Sequence, residues 1–191
     1  MHLNDRDKRD SIIYDPKIKG FDSSFFATLS GTPTVSSGNL RFNNASVSSY
    51  LQFEFIEMLN FMVTVPAVPT SGDARRFGLF APATANIGAL YFDITDTTFS
   101  AKCIDSSGNI QTQTITWVGA WTANPIVYGI AWEQNRVQFW VNGAIVATFS
   151  VTSGSPGAAI PFTSLPLYIK NTNADNMDVA YIDIRHAAGI N

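Results

Sequence analysis

The stretch Ile126-Val-Tyr-Gly-Ile-Ala-Trp-Glu-Gln-Asn-Arg-Val-Gln-Phe-Trp-Val-Asn-Gly-Ala-Ile-Val-Ala-Thr-Phe-Ser-Val151 holds three strand-like runs joined by two tight turns. Tyr128, Ile130 and Trp132 share one face of the first run, and Val137, Phe139 and Val141 share one face of the second. The first turn falls at Glu133–Asn135. The second is Asn142-Gly143, a pair that readily supplies the positive φ angles of a type I′ hairpin. Short turns between alternating runs predict antiparallel pairing.

The same period of two extends outward from this stretch. Leu40 and Phe42 alternate with polar neighbours, as do Leu51, Phe53 and Phe55. Phe61, Val63 and Val65 follow, then Phe77 and Leu79, then Leu90, Phe92 and Ile94. Ile110, Ile115 and Trp117 come next, and near the end Leu167, Ile169, Ala180, Ile182 and Ile184. Gly, Pro, Asn, Asp or Ser bounds each run, and no segment carries a helical period with caps. About twelve strands are too many for one flat sheet. The expectation is an all-β, antiparallel, two-sheet β-sandwich, with Phe53, Phe92, Ile130, Phe139 and Ile182 buried.

A chain of 191 residues at 46% hydrophobic suits one such domain. Charge divides it in two. Residues 1–20 hold five Lys/Arg and four Asp, whereas only 18 of the other 171 residues are charged. The expected organisation is therefore an N-terminal arm, 1–20, and a sandwich, 21–191. In the arm, Ile12, Ile13 and Tyr14 form an apolar islet suited to anchoring on a partner chain, which implies an oligomer or a larger assembly. The net charge of −3 has the wrong sign for a phosphate backbone, so nucleic acid is not an expected partner. No apolar run is long enough to span a bilayer, and the N-terminus lacks a signal-peptide core. The one cysteine, Cys103, alternates with Phe99 and Ala101 and reads as a buried thiol.

Tyr128-x-Ile130-x-Trp132 followed by Val137-x-Phe139-Trp140-Val141-Asn142-Gly143 resembles the paired strands of concanavalin A-like lectin/glucanase jelly rolls. Asn176-Met-Asp-Val-Ala-Tyr-Ile-Asp-Ile-Arg185 resembles the strand that closes those sandwiches. Phe77-Gly-Leu-Phe80 and Ala89-Leu-Tyr-Phe-Asp93 fit as well, so the resemblance spans roughly residues 21–186. The opening Tyr14-Asp-Pro-Lys-Ile-Lys-Gly-Phe-Asp22, with Thr28-Leu-Ser-Gly-Thr-Pro33, resembles the start of lectin-like proteins among phage structural components.

The glycosidases of this group carry Glu-x-Asp-x-x-Glu on one strand, and retention needs two carboxyl groups about 5–5.5 Å apart. The nearest candidate, Glu54 with Glu57, has Ile56 and Leu59 at the required acidic positions. His2 and His186 stand at the chain ends without a nucleophile motif. The resemblance raises calcium. Asn171, Asn173, Asp175, Asn176 and Asp178 offer oxygens but lack the glycine and glutamate of an EF-hand loop, and read first as Asx turns; no cofactor is expected, with calcium at this loop the weaker alternative. The candidate glycan-binding residues are Gln138, Trp140 and Asn142, which share the polar side of one run, and the loop residue Trp121. For Trp140, cover by a loop or subunit is the competing reading.

These readings lead to an expected non-catalytic component of a virion, at a particle or extracellular surface. It would be a capsid decoration, head-fibre or tail-associated protein, gripped by its arm and open to surface glycans. The alternatives are a free glycan-binding lectin-like module and an atypical glycoside hydrolase.

Overall fold

A computed structural model of the chain describes residues 11–81, 88–116, 122–151, 160–161, 163–172 and 174–186. Two antiparallel sheets pack face to face, as expected from the alternation. The first holds β13(Ala144–Ser150), β12(Arg136–Val141), β11(Thr122–Trp132), β6(Ile56–Val65), β15(Met177–His186), β4(Asn39–Phe42) and β3(Thr34–Ser36) in that order, with β1(Ser11–Tyr14) also on β15. The second runs β10(Ile110–Thr114), β9(Phe99–Ile104), β8(Ala89–Thr95), β7(Ala74–Phe80), β14(Leu165–Asn171), β5(Ala45–Phe53) and β2(Phe26–Ser30).

The decisive hairpin forms as its residues dictate. Asn142 and Gly143 take φ of 48° and 81°, which lets β12 and β13 close in two residues. Inward side chains of both sheets mesh through aromatic rings. Phe61 and Tyr128 of the first sheet meet Phe77 of the second at 5.5 and 4.9 Å between centroids. Phe92 meets Tyr128 at 5.2 Å and Phe139 at 5.0 Å. Phe53, Phe92, Ile130, Phe139 and Ile182 are all buried, and so is Cys103, whose thiol burial pushes well above its ordinary value. Arg75 shares the inward face with Phe77 and Leu79, is fully buried, and donates to the carbonyl of Ala67.

Three local expectations need correction. Alternation through 51–55 fails because β5 is irregular against β14, where Pro166 faces Gln52 but Tyr168 faces Ser48. Leu51 is therefore exposed, and Phe55, at φ 47°, lies in the turn. Ile110 sits on the edge strand β10 with its side chain exposed. Trp117 lies outside the described residues.

The third correction concerns the arm. Residues 1–10 lie outside the described residues, but 11–20 belong to the sandwich. β1 pairs with β15 from Ser11↔Arg185 to Tyr14↔Ile182. Asp15 then accepts from the Lys17 backbone at 2.9 Å and Pro16 opens a single helical turn, α1(Pro16–Lys19). Gly20, at φ 64°, ends it. Tyr14 is turned into its own chain. It is 1% exposed, packs against Phe25 and Phe26, donates its hydroxyl to the Gly20 carbonyl at 2.5 Å and accepts from the Asp22 backbone at 3.2 Å. Ile12 is half-buried against the core, and Ile13 is exposed. The boundary at residue 20 therefore cuts through a folded element, because the islet's aromatic ring finds its partners in its own chain.

Two truncations test this packing by denaturant unfolding. Phe139→Ala should lower stability by about 3–5 kcal/mol. Tyr14→Ala should lower it by about 3 kcal/mol, the behaviour of a core aromatic, where an arm residue would be neutral.

Candidate functional site

The outer face of the seven-stranded sheet concentrates the chemistry. Strand alternation sends Leu90, Phe92 and Ile94 of β8 inward and leaves Tyr91 and Asp93 on the outside. Register then assembles two rows across five strands. In one, Ser46 faces Lys170, Lys170 faces Arg76, Arg76 faces Asp93 and Asp93 faces Ser100. In the other, Ser48 faces Tyr168, which faces Gly78, then Tyr91, then Lys102.

Asp93 is the only acidic residue in any strand of this sheet. It is 2% exposed, yet both its oxygens are engaged. Arg76 Nε donates to Oδ1 at 2.8 Å, and Lys102 Nζ lies 2.5 Å from Oδ2. A buried carboxylate needs such partners. Burial disfavours the Arg76 cation, but the hydrogen bond and charge of Asp93 outweigh that and hold its pKa above the ordinary value.

Aromatic rings surround this centre. Phe80 packs on Tyr91 at 5.8 Å and on Tyr168 at 5.1 Å between centroids. The Arg76 guanidinium and the Lys102 ammonium lie over the Tyr91 ring, 5.8 and 5.9 Å from its centroid. Burial raises the Tyr91 and Tyr168 phenols, and the charge of Arg76 opposes the rise in both. The middle of the face is bare backbone. A Cβ on Gly78, at φ 154°, would stand 2.2 Å from the Leu90 carbonyl oxygen and 2.7 Å from Tyr91 Cα.

None of these residues was a sequence candidate. Gln138 and Trp140 lie instead on the outer face of the eight-stranded sheet, both half-buried. Trp140 stands between Gly129 and Ile145, its indole Nε1 buried without a hydrogen-bond partner among the described residues. Asn142 is part of the hairpin turn, and its side-chain oxygen accepts from the Val127 backbone at 3.1 Å. Trp121 lies outside the described residues. Glu54 falls between β5 and β6, and Glu57 points to solvent. In the loop considered for calcium, Asn171 donates to the Phe42 and Asp175 carbonyls, and Asp178 forms a bidentate pair with Arg41. The missed signal was Asp93 itself, an acidic residue inside an otherwise apolar run.

No protein-family model matches the chain, and no curated protein sequence matches it. Solved structures do. A Bacillus licheniformis β-glucanase superposes with a TM-score of 0.74 at 10% identity, covering 93% of this chain and 98% of that one. The apo Crh5 transglycosylase gives 0.73 at 14% identity, covering 93% and 84%. A laminarinase from Flavobacterium sp. UMI-01 gives 0.73 at 11% identity, covering 92% and 99%. The fold is the concanavalin A-like jelly roll of these glucanases. The likeness overturns the expectation of a non-catalytic virion component. That reading leaned on the missing catalytic carboxylates around Glu54 and Glu57, on a body surface poor in charge and on a charged N-terminal arm taken to grip an assembly. Residues 11–20 are part of the sandwich, and the carboxylate on the polar outer face stands on a different strand, β8.

Gly78→Ala tests how tightly the face is built. The new methyl group would meet backbone on β8, so the variant should lose about 3 kcal/mol or more in denaturant unfolding, far beyond an ordinary strand Gly→Ala change.

Proposed function

We propose that this protein is carbohydrate-active: it binds a polysaccharide along the outer face of the seven-stranded sheet and cleaves or transfers a glycosidic bond there. The observation that carries the reading is the Asp93 centre, a carboxylate clamped by Arg76 and Lys102 beside Tyr91 and Tyr168. The glucanase and transglycosylase likeness supports it at the level of fold.

Glycosyl transfer develops positive charge at the anomeric carbon, and a carboxylate beneath the sugar stabilises that charge. The common mechanism uses two carboxyl groups. This sheet supplies one, and the polar groups beside it are phenols and cations. Glycosidases that replace one carboxyl group by a tyrosine, or by a group of the substrate itself, show that a single carboxylate does not preclude the chemistry. Tyr91, two residues from Asp93 on the same face, is the neighbouring hydroxyl to which we assign such a part.

The test is turnover on a panel of neutral and charged polysaccharides, read as new reducing ends or transfer products. Asp93→Asn should lower turnover by about 100-fold or more, and Tyr91→Phe, which keeps the ring, by at least about tenfold. Each variant's unfolding transition is recorded alongside. A folded native protein that turns over no member of the panel would overturn the proposal.

A further inference from the structure

We infer that the polysaccharide taken by this face is anionic, carrying carboxylate or sulfate groups; the inference rests on the carbohydrate reading above. The strands of the seven-stranded sheet place three cations on the outer face, Arg76, Lys102 and Lys170, against the single anion Asp93. The chain as a whole carries a net charge of −3, so this is a local cationic island and not a general property of the surface.

Exposure sharpens the asymmetry. The Asp93 side chain is 2% exposed, whereas Arg76 is 36% and Lys102 26% exposed. An arriving ligand therefore meets the cations, and the anion lies beneath them. Arg76 commits its Nε to Asp93, which leaves the two Nη groups of a planar fork suited to a carboxylate or sulfate. Lys170, directly across from Arg76 on β14, forms no ion pair among the described residues.

The aromatic component points the same way. A neutral sugar is commonly held by stacking on a bare ring. Here Arg76 and Lys102 already lie over the Tyr91 ring, and Tyr91 and Tyr168 are only 7% and 6% exposed. The face offers a ligand charge and hydrogen bonds more than ring surface.

The experiment measures binding of the full-length protein to polygalacturonate, dextran sulfate and neutral laminarin, at about 0.05 M and about 0.5 M salt. At low salt the two acidic chains should bind at least about tenfold more tightly than laminarin, with the preference shrinking at high salt. The tighter of the two identifies carboxylate or sulfate as the preferred group. Lys170→Gln should lower the acidic-to-neutral ratio about threefold to fivefold. An unchanged ratio in that variant, or equal binding of single-stranded DNA, would overturn the inference. Laminarin bound as tightly as the acidic chains, and lost in Tyr91→Ala, would overturn it while leaving the carbohydrate reading standing. Binding of none of the three chains would overturn both.

Discussion

The Phe92 ring is packed between the two sheets, and the rest of the molecule follows from holding it there. It touches Phe77 and Phe99 on its own sheet and Tyr128 and Phe139 on the other. Because strand side chains alternate, burying Phe92 obliges Tyr91 and Asp93 to face outward. A register slip of one residue would put a carboxylate into the core, at a prohibitive desolvation penalty. The same apolar packing that holds the sandwich together therefore fixes the position of the one carboxylate in the strands of the seven-stranded sheet.

What could be read from the sequence was local. Asn142-Gly143 announced its hairpin because the φ values it needs are a property of two neighbouring residues. Tyr128, Ile130, Phe139 and Ile182 announced the core through period alone. The failures occurred where a distant partner decides. Leu51 follows the right period but falls inside the irregularity where β5 meets β14, and Phe55 falls in the turn after β5, where it packs on Trp132. Tyr14 sits in a charged segment, and nothing nearby in sequence shows that Phe25, Phe26 and β15 will enclose it. The outer-face site is the extreme case. Arg76, Asp93, Lys102 and Lys170 come from four strands and are brought together by pairing registers that no short motif encodes.

That gap also explains how the functional expectation went astray. A search for Glu-x-Asp-x-x-Glu asks for three acidic groups at fixed spacing on one strand, and no described strand has them; the nearest in number, β15, carries only Asp178 and Asp183. The jelly roll nevertheless presents a polar outer face, and here that face is furnished differently, with one carboxylate, two phenols and an excess of cations. A shared fold over nine-tenths of the chain at 10–14% identity is what would be expected if inward residues are constrained by packing and outward ones are free to change.

Cys103 gives the molecule a built-in reporter. It is the sole thiol of the chain, wholly enclosed, on the strand next to β8 and directly across from Leu90. Burial keeps it protonated and unreactive, so an alkylating reagent can reach it only when β8 and β9 part. The rate of its labelling would thus measure the opening of the strands that carry Asp93 and Lys102, without any introduced probe. Saturating the outer face with a ligand should slow that chemistry, the logarithm of the slowing tracking the stabilisation that binding supplies, turning a buried, chemically silent residue into a gauge of occupancy on the other side of the sheet.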